Sequence, residues 1–193
     1  LALVVNNGPD AHAAAVFTSN AFKAAPVVWS ADAVADGRLA AVVLNSGGAN
    51  ACTGRAGLDD ARQMAAWTSA SLGCDVTDVA VCSTGLIGVR LPMNKVLAGI
   101  ELVTQDLSDE GGPAAAEAIM TTDTVAKQAE YQSAHRWAIG GMAKGAGMLA
   151  PALATMLVVI TTDAVLPADA LAPALTTATG FTFDRTDSDG CMS

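Results

Sequence analysis

The segment from Gly140 to Ile160 leaves this chain little choice of fold. Gly140, Gly141, Gly145 and Gly147 make its first part pliable, and Met156 to Ile160 is an apolar run that reads as a buried strand. Thr155 stands at the junction, and Lys144 is the single charge between Trp137 and Ile160. A strand beginning at Thr155 would hold its hydroxyl at one point. A cut before it would free an amine beside that hydroxyl, placing a base next to a nucleophile. The segment therefore points to an enzyme that processes itself.

At 193 residues, with 52% apolar and 15% charged residues, the chain can bury a core and is not disordered. A net charge of -9 argues against a nucleic-acid or anionic-membrane surface and favours small-molecule partners. The longest apolar stretch, Met148 to Ile160, is broken by Pro151 and Thr155 and falls short of the roughly 20 residues that span a bilayer. A soluble, cytoplasmic protein is expected. Cys52, Cys74, Cys82 and Cys191 show no CxxC spacing, and His12 and His135 lie far from them, so neither zinc nor a disulfide framework is expected.

Strands are predicted over Leu1 to Val5, Ala14 to Thr18, Ala24 to Trp29, Leu39 to Asn45, Asp78 to Cys82, Trp137 to Met142 and Met156 to Thr162. Helices are predicted over Asp59 to Ser71, from Pro92 to about Leu107, over Pro113 to Met120 and over Ala168 to Thr177. The class is mixed α/β, with helices layered over sheets.

Three further segments could carry chemistry. Asn45 to Ala51, rich in glycine and small polar residues, would either line a pocket with backbone amides or form a tight turn. Ser83 to Gly88 closes a strand, where amides and the Thr84 hydroxyl have the parts of an oxyanion hole, although taken alone the segment more often makes an ordinary strand-to-loop turn. Thr121-Thr122-Asp123 offers hydroxyls after a helix, or is simply a polar helix end. Lys144 must reach solvent along its stem or hold a carboxylate, and near an amine nucleophile it would favour the neutral base. No Walker A or dinucleotide fingerprint is present, which disfavours nucleotide binding.

Taken in order, Ala24-Ala25-Pro26-Val27, Leu44 to Gly54, Val81 to Pro92, Ile119 to Asp123, Gly140 to Leu157 and Phe183-Asp184-Arg185 leading to Asp189-Gly190-Cys191-Met192-Ser193 resemble the ornithine acetyltransferase family of arginine biosynthesis, which includes bifunctional glutamate N-acetyltransferases. The resemblance runs along essentially all 193 residues. It implies a layered α-β sandwich like that of the N-terminal-nucleophile hydrolases, with mixed sheets covered by helices. It also implies self-cleavage between Ala154 and Thr155, Thr155 as the nucleophile, Thr84 and Gly85 as the oxyanion-hole pair, and Thr121, Lys144 and Thr155 as substrate contacts. The implied reaction is ping-pong transfer of acetyl from N-acetylornithine to glutamate through an acetyl-threonine ester. No metal or prosthetic group takes part, and acetyl-CoA is a possible co-substrate.

The resemblance further implies an assembly of two α and two β chains. On that pattern the chain is one incomplete domain, with 1–154 the α-chain region and 155–193 the start of a truncated β chain, and by itself it would be inactive. Two rival classes stand beside this reading. A self-cleaving aminopeptidase of related architecture would hydrolyse peptides instead of passing an acyl group to glutamate, and an interaction module would never cut.

Overall fold

The computed structural model describes residues 1–150, 152 and 155–191. Two three-stranded sheets form its frame. In the first, β1 (Ala2–Val5) runs antiparallel to β2 (Ala41–Gly48), which runs parallel to β3 (Val79–Leu86). A parallel pair needs a long crossover, supplied by the helix α2 (Gly54–Leu72). In the second sheet β4 (Lys127–Gln132), β5 (Ala138–Lys144) and β6 (Leu157–Thr162) make an antiparallel meander. The expectation of layered mixed sheets and helices holds for the architecture, with one sheet mixed and the other purely antiparallel.

The period of two along the first sheet sorts its side chains onto opposite faces. Leu3, Val43, Val79 and Val81 turn to Met64 and Ala65 of α2 and to Val96 and Ile100 of α3 (Met93–Gln105). Ala2 and Leu44 turn the other way, toward Ala116 of α4 (Gly112–Ala118), Ile119, and Met142, Leu157 and Val159 of the second sheet. The order of layers is thus helices, first sheet, then second sheet. A cleft of about 1690 Å³ opens between the sheets, with Leu171 and Leu175 of α5 (Ala168–Phe181) among its lining residues.

Two predicted strands are absent. Ala14 to Thr18 has no regular structure, and Ala24 to Trp29 falls in a helix, α1 (Ala25–Ala33). Valines and a tryptophan favour strand locally, but Pro26 sits in the first helical turn, where its missing N–H costs nothing. Pro26, Ser30 and Ala33 then fall on one buried stripe. The helix lies along the open edge of β3. Ser30 Oγ donates to Val81 O and accepts from Val81 N, each at 2.8 Å, while Trp29 Nε1 donates to Val79 O at 2.9 Å. Side chains here stand where a fourth strand would otherwise pair.

The strand β4 was not anticipated. Lys127-Gln128-Ala129-Glu130-Tyr131-Gln132 shows no apolar alternation, since it is an exposed edge strand held by its backbone to β5. The helix α2 begins five residues ahead of expectation, and its C-terminus is closed by Gly73 in the left-handed region at φ 73°.

Candidate active site

Five of the expected residues, Thr84, Gly85, Thr121, Lys144 and Thr155, line one cleft. Thr84 and Gly85 lie at the C-terminal end of β3, beside an irregular register in which Gly48 faces both Thr84 and Leu86. Bulges of this kind re-aim strand ends near functional sites. Gly85 adopts φ +128°, and a Cβ there would come within 2.6 Å of Gly47 O and 2.7 Å of Gly48 N. Only glycine fits both the dihedral and the approach. The turn is braced from both sides. Ser83 Oγ donates to Asn45 Oδ1 at 2.5 Å and Asn45 Nδ2 to Gly48 O at 2.9 Å, while Arg90 grips the buried Asp60 of α2 through Nε at 3.0 Å and through a second nitrogen at 2.5 Å.

Lys144 ends β5 and is 4% exposed. Its Nζ donates to Thr121 Oγ1 at 2.7 Å and to Thr84 Oγ1 at 3.2 Å, and lies 3.8 Å from Asp123 Oδ2. Of the two fates open to this lysine, the structure shows the second: it is buried and faces a carboxylate. Burial pushes its pKa down, Asp123 acts in the opposite direction, and the like charge of Lys127 adds to the lowering.

Asp123 is the residue the sequence reading passed over. Its side chain is wholly buried and accepts from Lys127 Nζ at 2.5 Å, Gly145 N at 2.7 Å and Thr121 N at 3.3 Å. Burial alone would raise its pKa, but Lys127, the two amides and Lys144 outweigh it and bring the carboxyl to about 2. A lone cation in an apolar stretch requires a counter-charge, and that requirement is the signal that could have singled Asp123 out.

Thr155 precedes β6, and its N–H donates to Met148 O at 3.2 Å. It lines the same cleft as Thr84, Gly85, Thr121 and Lys144. Ala154, the other side of the expected cut, lies outside the described residues. The preceding glycine-rich loop is tied to the later chain, because Met148 N donates to both carboxylate oxygens of Asp189 at 3.1 and 3.0 Å. Cys82, which also lines the cleft, has its thiol pushed up to about 12 by burial, so it is protonated and unsuited as a nucleophile. Among the described residues no group of three His, Cys, Asp or Glu side chains could hold a metal ion, and no helix is long and apolar enough to cross a membrane.

The ArgJ family model matches residues 1–193. The chain belongs to the ArgJ family. The chain is 61% identical over 193 residues to the arginine biosynthesis bifunctional protein ArgJ of Streptomyces coelicolor, and 58% identical over 193 residues to that of Thermobifida fusca. Each alignment takes in 100% of this chain and 50% of the relative, so the chain spans about half the length of the curated relatives it matches. Among solved structures, the chain superposes on ornithine acetyltransferase from Mycobacterium tuberculosis, complexed with ornithine, with TM-score 0.77 and 55% identity, covering 79% of this chain and 82% of that one. It superposes on arginine biosynthesis bifunctional protein ArgJ from Bacillus halodurans with TM-score 0.70 and 40% identity, covering 80% and 81%.

Proposed function

We propose that the full-length protein carrying this chain is an acetyltransferase that cuts itself between Ala154 and Thr155. It then moves an acetyl group from N-acetylornithine to glutamate. The observation that carries this reading is the joining of Thr84, Thr121 and Lys144 by hydrogen bonds in a cleft that Thr155 also lines. Coverage of the relatives supports it. The solved M. tuberculosis chain is covered to 82% and the curated sequences to 50%, so that crystallised chain is much shorter than a full sequence, as a cut family member would be.

In self-cleavage the Thr155 hydroxyl adds to the Ala154 carbonyl. The carbonyl carbon's bond to the Thr155 nitrogen breaks, the nitrogen takes up a proton, and an ester joins the Ala154 carbonyl to the Thr155 oxygen. Water then hydrolyses the ester, leaving a carboxylate on Ala154 and a free amine and hydroxyl on Thr155. An α-amine has a pKa of about 7.7 to 8.0 in water, so burial and the nearby Lys144 charge would keep it neutral near pH 7 and able to accept the hydroxyl proton.

In turnover the Thr155 oxygen attacks the acetyl carbonyl of N-acetylornithine, and the amine takes its proton. Negative charge develops on the acetyl oxygen against Thr84 and the Gly85 amide. As the C–N bond breaks, the proton passes to the leaving ornithine nitrogen, and acetyl-Thr155 remains. The neutral amino group of glutamate then attacks the ester, regenerating the hydroxyl. In a bifunctional protein acetyl-CoA serves as an alternative donor. The division into 1–154 and 155–193 onward, an assembly of two α and two β chains, and a cytoplasmic location belong to the same reading.

Intact mass of the full-length protein and of its Thr155→Ala variant tests the first half. Pieces ending at Ala154 and starting at Thr155 are expected in the wild type alone. Ornithine release from N-acetylornithine, measured with and without glutamate, tests the second. Release that glutamate does not accelerate, with peptides hydrolysed, would replace acetyl transfer by aminopeptidase chemistry; no cut in either protein would favour a binding module.

A further inference from the structure

We infer that Asp123 is a positioning residue of the oxyanion hole, acting through Lys144 on the Thr84 hydroxyl. The inference rests on the role given above to Thr84. An ammonium carries three donors and no acceptor, so the contacts from Lys144 Nζ to Thr84 Oγ1 at 3.2 Å and Thr121 Oγ1 at 2.7 Å run in one direction only. Both hydroxyl oxygens accept there, and each must aim its own proton elsewhere. For Thr84, which is 2% exposed and lines the cleft, that leaves the proton to be given to an acyl oxygen held in the cleft. Accepting from a cation also makes the hydroxyl a stronger donor, since linked hydrogen bonds polarise one another.

The arrangement fails if Lys144 loses its charge, because a neutral amine accepts and could take the Thr84 proton for itself. Burial acts toward that loss, as does Lys127, and Asp123 is the group that opposes it. Asp123 cannot swing away. Lys127 Nζ, Gly145 N and Thr121 N fix both its oxygens, and those two amides belong to the segments that carry Lys144 and Thr121 themselves. One carboxylate thus favours the charged lysine and holds the backbone beside Lys144 and at Thr121, and it reaches the Thr84 hydroxyl through the lysine.

The test is a double-mutant cycle in the full-length protein, read on two rates, self-cleavage by intact mass and acetyl transfer by ornithine release. Asp123→Asn should slow both about 10-fold, with KM for N-acetylornithine changed less than about two-fold; Thr84→Ala should cost about 10²- to 10³-fold, as loss of an oxyanion donor does. In the Thr84→Ala background Asp123→Asn should add less than about two-fold, since residues acting through one another are not additive. Asp123→Glu keeps the charge and should recover part of the loss; it also serves in the cycle if Asp123→Asn does not fold. An undiminished penalty in the Thr84→Ala background, or a rise in KM with kcat intact, would overturn the inference. Should the wild type cut itself yet leave N-acetylornithine untouched, acetyl transfer falls as the function, and the cycle on cleavage rate still decides the relay.

Discussion

Asp123 sits among donors in a place closed to solvent, and its titration follows. With a folded pKa near 2, below that of an ordinary carboxylate, the group contributes stability that is fully present above about pH 4 and is lost as pH falls through 2. Urea denaturation of wild type and Asp123→Asn should differ most at pH 6, with the gap narrowing steadily toward pH 2.5; a constant gap would mean that the ionised form is not what the fold favours. Gly85→Ala should cost at least about 2 kcal/mol in the same experiment, because strain at φ +128° adds to the collision with Gly47. At this scale the sequence was readable wherever chemistry and rarity coincided. Lys144 and Thr155 each stood out from an apolar stretch, and Thr84 from the close of a strand. Asp123 did not stand out, because an aspartate after a helix is commonplace; Lys127 is four residues on, but the Gly145 amide and Lys144 are brought to it from the end of β5 by the fold.

Helix α1 shows where local preference and tertiary packing part. Ala24 to Trp29 has the composition of a strand, and beside the local signal of Pro26 the helix is favoured by a neighbour 50 residues away: the open edge of β3, which Trp29 and Ser30 satisfy. No window of sequence contains that second contribution. Ser30→Ala leaves Val81 N and O without their partner and should destabilise the protein by about 2 kcal/mol, the cost of orphaning buried backbone groups. Hydrogen exchange at the Val81 amide should rise with it; unchanged protection would show that the edge finds another partner. The edge strand β4 escaped notice for the opposite reason, since its residues are polar throughout and its pairing is carried by the backbone. The strands β1, β2, β3, β5 and β6 and the helices α2 to α5 were legible because each carries an apolar face or run of the right period.

For the molecule as a whole, the position of the expected cut relative to the sheets matters most. The strand β6 begins two residues after Thr155 and pairs with β5 at six consecutive positions, from Lys144 with Leu157 to Ile139 with Thr162. Leu157 and Val159 also pack into the cluster that holds Met142. Cut full-length protein should therefore elute as one species under native conditions and resolve into two bands only when denatured; native separation of the pieces would show that the ladder does not hold them. A broken chain whose new terminus is already woven into a sheet has no search to make. On the proposed cut each copy would arm itself once, in place, and hydrolysis would give it no way back, so the number of working molecules would become a running tally of how many have folded.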